Sequence, residues 1–101
     1  MKKCKFCSMF SCGKNGARVV LHDGYTDGVY NYYNGGGNSY RGWCAVEPST
    51  GLAVVYANTR KECAAKACSM ETLLKVEKAL QINGDKFRAA FLEAMKKESE
   101  V

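Results

Sequence analysis

Three cysteines near the start of the chain form the pattern whose chemistry is easiest to name, Cys4-x2-Cys7-x4-Cys12. A Cys-x2-Cys pair in a tight turn places two thiolates on one side of a loop, which suits tetrahedral zinc. The nearest candidate for a fourth ligand is His22, the only histidine in the sequence. The one candidate cofactor is therefore zinc, with Cys4, Cys7, Cys12 and His22 as its candidate ligands. A set of reduced thiols, or a local disulfide, is favoured over zinc because no second close cysteine pair follows.

The other three cysteines, Cys44, Cys63 and Cys68, are further candidates for the fourth ligand, but packing explains two of them better. Cys63 and Cys68 are five residues apart on a predicted helix, so their side chains differ in direction by roughly 140°. One straight helix does not easily present both thiols to one ion. We expect both to pack in the core as small apolar groups.

A catalytic residue set is missing from the sequence. The single histidine is followed by Asp23, whose side chain points the other way if the segment is extended. No signature of a nucleophile surrounds Cys12 or Cys44. The glycine-rich stretch 34–38 lacks the Gly-Lys-Ser/Thr ending of a phosphate-binding loop. We therefore predict that the chain is not an enzyme.

Aromatic residues are concentrated in the middle of the chain, where all six tyrosines and the only tryptophan lie. Over residues 40–47 the alternation places Arg41, Trp43, Ala45 and Glu47 on one face, and its two charges predict that this face meets solvent. At least one tyrosine of residues 29–33 is also expected to face solvent. An exposed aromatic patch on a small domain marks a contact surface. The predicted binding site is Trp43, Arg41, Tyr32, Tyr33, Tyr40 and Arg18.

The strands that must position these residues follow from residue type and turn chemistry. Residues 1–16 are interpreted as a cysteine-rich, turn-rich lead-in, and residues 17–57 as a meander of three or four antiparallel strands. Within the meander, residues 17–22 are predicted as a buried strand, and Asp23-Gly24 and Asp27-Gly28 as turns. The clearest hairpin joins residues 40–47 to residues 52–57 through the turn Pro48-Ser49-Thr50-Gly51.

Residues 59–97 have the composition and periodicity of helices. Thr59 is predicted to cap the first helix, with Glu62 three residues later. Ser69 is a second candidate cap, and Asn83-Gly84-Asp85 is predicted to end one helix and begin the next, which gives two or three helices. The resulting fold class is α+β: a single two-layer domain, residues 1–101, with the helices packed on one face of the meander.

Composition bounds the class of protein. The chain has 101 residues, a net charge of +5, 47% hydrophobic and 25% charged residues, and six cysteines. No apolar run approaches the ~20 residues that a membrane-spanning helix needs, so we expect no membrane role. The basic start is not followed by an apolar segment, which predicts no signal peptide and a cytoplasmic location with reduced cysteines.

The function that these observations favour is binding. The leading hypothesis is a small non-enzymatic intracellular protein that presents an aromatic sheet or loop surface to a macromolecular partner, for which we expect a protein. One alternative is a nucleic-acid-binding module that uses the same aromatics with arginine and lysine side chains. Two others are a phage or mobile-element inhibitor that blocks a host nuclease or defence effector, and a small zinc-binding module.

Overall fold

The computed structural model describes residues 1–11, 17–35 and 42–99, and it confirms an α+β fold. Within these residues, strands come first and helices last, as the sequence predicts. The described strands number five rather than three or four. The elements are β1 (Lys2–Ser11), β2 (Ala17–Thr26), β3 (Asn31–Asn34), β4 (Trp43–Val46), β5 (Ala53–Ala57), α1 (Arg60–Ala67) and α2 (Met70–Ser99).

The additional strand is β1, which occupies most of the segment predicted as a turn-rich lead-in. It pairs antiparallel with β2 over its whole length, from Lys2 opposite Thr26 to Ser11 opposite Ala17. The lead-in prediction was wrong because cysteine, serine and lysine carry little strand preference of their own. Pairing with a neighbouring strand decides such cases more than residue propensity does.

Strand β2 continues through Asp23-Gly24, so the turn predicted there is wrong as well. Gly24 is buried, and a side chain at this position would collide with the main-chain carbonyl of Tyr32 and lie 2.8 Å from the Phe6 ring. Glycine is therefore needed for a close approach of backbones and not for a turn. Residues 17–22 lie in a strand, as predicted, but the burial predicted for them is wrong, because Leu21 is 66% exposed.

The five strands follow one another in sequence order, and the sheet curls so that its first hairpin covers one face. The amide of Met9 in β1 donates to the carbonyl of Gly51, just before β5, at 2.7 Å. Between the first hairpin, formed by β1 and β2, and strands β3 and β4 lies a cluster that we call the hairpin core. It consists of Phe6, Tyr33, Cys44 and Val46, with Cys4 packed against it.

The opposite face of the sheet is covered by α1. The cluster on this side, which we call the α1 core, consists of Tyr30, Tyr32, Ala45, Ala57, Cys63 and Ala67. Strand β4 is thus buried on both sides, with Cys44 and Val46 in one cluster and Ala45 in the other. The predicted wet face of this strand is wrong, because Ala45 is fully buried and Glu47 follows the end of the strand. Arg41 lies outside the described residues.

The turn between β4 and β5 forms at the predicted residues 48–51. Gly51 adopts φ of 70°, which favours glycine, and a side chain there would meet the Phe91 ring at 2.6 Å. Both the turn and the pairing of β4 with β5 are therefore confirmed. Phe91 of α2 packs against the bare backbone of this turn, so the turn determines where the last third of α2 lies.

Both predicted helix starts are confirmed, and the predicted break at Asn83-Gly84-Asp85 is wrong. Thr59 accepts a hydrogen bond from the Glu62 amide at 3.1 Å, and Ser69 accepts one from the Thr72 amide at 3.3 Å. Helix α2 continues through Gly84, which is buried under the guanidinium of Arg88. A glycine inside a helix lowers the stability of the helix by about 1 kcal/mol. Tertiary packing of the helix offsets this cost. No helix of the described residues is long and apolar enough to cross a membrane.

Truncation of Phe91 tests the packing of α2 on the turn. Phe91 is buried, so Phe91→Ala should lower the free energy of unfolding by about 3–5 kcal/mol through lost burial and a cavity. The neighbouring Leu92 is 63% exposed, and Leu92→Ala should change it by less than about 0.5 kcal/mol. Urea unfolding followed by circular dichroism measures both. Equal effects of the two substitutions would contradict this packing.

A pair of glycine substitutions tests the curl of the sheet. Gly24→Ala places a methyl group against the Tyr32 backbone and should cost more than about 2 kcal/mol. Gly84→Ala meets only the flexible end of Arg88 at 3.0 Å and gains helix propensity, so stability should be unchanged or rise by up to about 1 kcal/mol. Thermal melts of the two variants compare them directly. A Gly24→Ala protein as stable as wild type would show that the backbones are not in contact.

Candidate functional site

Two aromatic rings and one arginine meet at the edge of the α1 core. The Tyr25 and Trp43 rings lie 6.0 Å apart, centroid to centroid, and are tilted by 49°. The guanidinium carbon of Arg60 lies 4.1 Å from the centre of the Tyr25 ring and 5.7 Å from that of Trp43. Each of the three side chains is partly buried and partly exposed. We call this group the Tyr25–Trp43–Arg60 cluster.

Three elements bring the cluster together. Tyr25 is opposite Tyr32 in the register of β2 and β3, which places it on the face of the sheet that α1 covers. Trp43 begins β4 directly after Gly42, where a side chain would lie 2.6 Å from the Ala57 carbonyl oxygen. Arg60 is the first residue of α1, and the Thr59 cap determines where that helix begins. The cluster thus depends on the start of α1 being fixed over the sheet.

A shallow groove of about 410 Å³ begins at Tyr25 and follows the first hairpin. Lysines 3 and 5 line it together with Asp23. Lys3 is directly opposite Tyr25 in the register, and Lys5 is opposite Asp23. The Lys5–Asp23 pair is 3.9 Å apart and almost fully exposed, so it contributes little stability. Together with Arg60, the groove and the cluster form a basic surface that contains aromatic rings.

Most of the predicted binding residues lie elsewhere. Tyr32 is 0% and Tyr33 8% exposed, and Tyr30 is buried too, so the expectation that one of these tyrosines faces solvent is wrong. Their strand is covered on both faces, by α1 and by the first hairpin, which alternation within the strand does not reveal. Arg18 is exposed and lies opposite Phe10 near the far end of the hairpin.

Tyr40 and Arg41 lie outside the described residues. Of the predicted residues, only Trp43 belongs to the cluster, where it is half-buried. Sequence reasoning missed Tyr25 and Arg60 as partners of Trp43. No local pattern joins these three positions, because they meet only after the sheet and α1 have packed.

The predicted zinc ligands are separated where the structure describes them. Cys4 and Cys7 are three residues apart on a strand, so their side chains lie on opposite faces of β1. Cys12 lies outside the described residues, and His22 is engaged with Ser8. Among residues 1–11, 17–35 and 42–99 there is no group of three potential metal ligands. The zinc hypothesis therefore stays a prediction that depends on Cys12.

The two helical cysteines have different environments. Cys63 is fully buried in the α1 core, as expected, and burial raises the pKa of its thiol to about 11. Cys68 is exposed at the end of α1, so its expected burial is wrong. Its thiol donates to a carboxylate oxygen of Asp27 at 3.7 Å. The helix ends at Ala67, and Cys68 is the residue that caps its end.

His22 takes part in a polar contact at the rim of the hairpin core. Its Nε2 atom lies 2.6 Å from Ser8 Oγ, and its ring stacks on Tyr33 with centroids 3.7 Å apart. A hydroxyl next to an imidazole resembles a nucleophile with its base, but Ser8 is only 2% exposed. A substrate cannot reach Ser8 there. The contact therefore holds β1, β2 and β3 together, and burial lowers the pKa of His22.

Two carboxylates organise the two main turns. Asp27 accepts hydrogen bonds from the Tyr32 hydroxyl at 2.6 Å and from the amides of Val29 and Tyr30 at 2.8 Å. Glu47 accepts bonds from the amides and hydroxyls of residues 49 and 50. Burial alone would raise the pKa of each carboxyl group, but the accepted hydrogen bonds outweigh it and leave both values lowered.

These shifts predict two stages of acid destabilisation. The folded pKa of His22 is lowered, so the unfolded chain takes up its proton first, and stability should fall as the pH drops below 6.5. The lowered pKa values of Asp27 and Glu47 should cause a second loss below about pH 4.5, towards their folded values. Urea unfolding at a series of pH values measures both stages. His22→Gln should remove the first stage, and its persistence in that variant would contradict the assignment.

Comparisons with known proteins give no information on the role of this surface. The chain matches no family model, and neither a curated protein nor a solved structure matches it. A functional assignment therefore rests on the contacts, charges and exposure of the described residues.

Proposed function

We propose that the chain is a small non-enzymatic binding protein that presents the Tyr25–Trp43–Arg60 cluster to a protein partner. The observation that carries this proposal is the position of Arg60 over two partly exposed rings. Tryptophan, tyrosine and arginine are the residue types that dominate binding energy at protein interfaces. Here all three are in mutual contact, so little side-chain freedom is left to lose on binding.

The arrangement of the rings favours a protein over a single-stranded nucleic acid. Base stacking needs an open aromatic face. The face of Tyr25 already carries the Arg60 guanidinium, and Trp43 is in contact with Tyr25 and the α1 core. The net charge of +5 is also modest for a nucleic-acid-binding domain.

Nucleic acid is nevertheless the second candidate partner, because Lys3 and Lys5 extend the positive charge along the groove beside Tyr25. Phosphate contacts by such lysines would make the affinity fall steeply with salt concentration. A protein interface centred on aromatic rings would show a shallow dependence. The salt dependence of binding therefore separates the two candidates.

Inhibition of a host nuclease or defence effector by a phage or mobile-element protein is a special case of the same proposal. Inhibition by occupancy requires a contact surface and no catalytic group, and both candidate partner classes are compatible with it. None of the five described cysteines is part of a disulfide, which is compatible with a reducing compartment, and the cytoplasm is the proposed location.

Matched baits test the proposed surface. Immobilised wild-type protein, Trp43→Ala and Arg60→Ala are compared with Tyr56→Ala in capture from a lysate of the source cells, with quantitative mass spectrometry. Tyr56 is a matched control because it is 45% exposed but lies opposite Cys44, on the other face of the sheet. A partner that binds through the cluster should bind the first two variants at least about tenfold more weakly.

The binding of the baits can be compared only if each variant is folded. Trp43 packs against the α1 core, so Trp43→Ala lowers stability and its circular dichroism spectrum is needed. Arg60→Ala removes no buried apolar ring and serves as the second variant. Capture of the same proteins by all four baits would refute the cluster as the binding surface, and capture of nucleic acid alone would favour the second candidate.

A further inference from the structure

We propose that the part of the partner that meets the cluster is an acidic protein segment, whose carboxylates bind to Arg60 and to Lys3 beside it. This inference rests on the proposed function and names the chemistry of its partner. Its basis is a pair of cations that the described part of the chain holds in place without neutralising them.

Arg60 and Lys3 have no carboxylate partner among residues 1–11, 17–35 and 42–99. The ion pairs within these residues are Lys5–Asp23, Glu71–Lys75, Asp85–Arg88 and Glu93–Lys97. Three of the four are within α2. The fourth joins two exposed groups at 3.9 Å and leaves Lys5 accessible to water and to a second anion.

The guanidinium of Arg60 is held ready for a carboxylate. Its central carbon lies 4.1 Å from the centre of the Tyr25 ring and 5.7 Å from that of the Trp43 ring. The N–H groups of a guanidinium form paired hydrogen bonds with the two oxygens of a carboxylate. Contact with two rings limits the freedom of the Arg60 side chain before binding, so less of that freedom is lost when a carboxylate binds.

The groove extends the positive charge of Arg60 along strand β1. Lys3 is paired with Tyr25 across the strands, so Lys3 and Arg60 are both neighbours of the same tyrosine. Lys5 follows two residues later on the same face of β1. Successive carboxylates of an extended acidic segment would thus meet Arg60, Lys3 and Lys5 in turn. A phosphate backbone would meet the same cations, but its bases would find no open ring to stack on.

The probe is a capped oligoglutamate peptide, titrated into the full chain at low salt. Trp43 is the only tryptophan, so its emission reports binding at the cluster itself. Calorimetry provides the affinity independently of the Trp43 emission. Arg60→Gln and Lys3→Gln should each weaken binding about five- to tenfold through the loss of a charge-assisted contact. Arg60→Lys should restore only part of the affinity, because lysine keeps the charge and loses the planar fork.

Controls separate this site from general attraction to a basic protein. Lys78→Gln removes the same charge from an exposed position on α2 and should leave the affinity unchanged. Oligoglutamine of the same length should not bind. Equal weakening by Lys78→Gln, or no response of the Trp43 emission, would overturn the proposal.

Oligothymidylate of the same length tests the phosphate alternative, and tighter binding of this probe than of oligoglutamate would overturn an acidic protein segment. Failure of the peptide experiment is distinguishable from failure of the proposed function. A partner that is captured by wild type and lost from both Trp43→Ala and Arg60→Ala, but is insensitive to Arg60→Gln and to salt, would leave the binding surface intact and refute only its acidic occupant.

Discussion

The buried hydroxyl of Tyr32 donates a hydrogen bond to the carboxylate of Asp27, and this bond joins the turn between β2 and β3 to the α1 core. Tyr32 has no exposed surface, and a buried hydroxyl without an acceptor would be costly. Asp27 can accept it only because the same carboxylate is held by the amides of the turn between β2 and β3. The turn is thereby fixed relative to the α1 core. Tyr25, which pairs with Tyr32, takes its place at the edge of that core as a result.

Local chemistry was enough to predict some of these elements. Proline and glycine around residue 50, the Thr59 cap and the Ser69 break each act within a few residues, and each is present. Strand β1 and the uninterrupted α2 could not be predicted in this way. Their existence depends on contacts with other elements of the fold: pairing with β2 for the first, and packing of α2 on the sheet for the second. Glycine at position 24 was misjudged for the same reason, because what it permits is contact with Tyr32 and Phe6.

The candidate site, too, could be predicted from the sequence only in part. The alternation in β4 drew attention to Trp43, but it could not show that both faces of the strand are covered. Arg60 looked like an ordinary first-turn residue of a helix. Its role appears only when α1 is placed over the sheet, since a cation and two rings from three elements share no sequence spacing. Burial of neighbouring tyrosines removed the larger aromatic patch that the sequence suggested.

Gly51 is the point at which both ends of the chain converge. The amide of Met9 binds its carbonyl, and the Phe91 ring covers its backbone. All the strand pairings, by contrast, join elements that are consecutive in sequence. Low separation between contacting residues generally gives rapid folding, whereas closing long loops is slow. We therefore expect the local hairpins to form first, and the contacts of Met9 and Phe91 with Gly51 to form last.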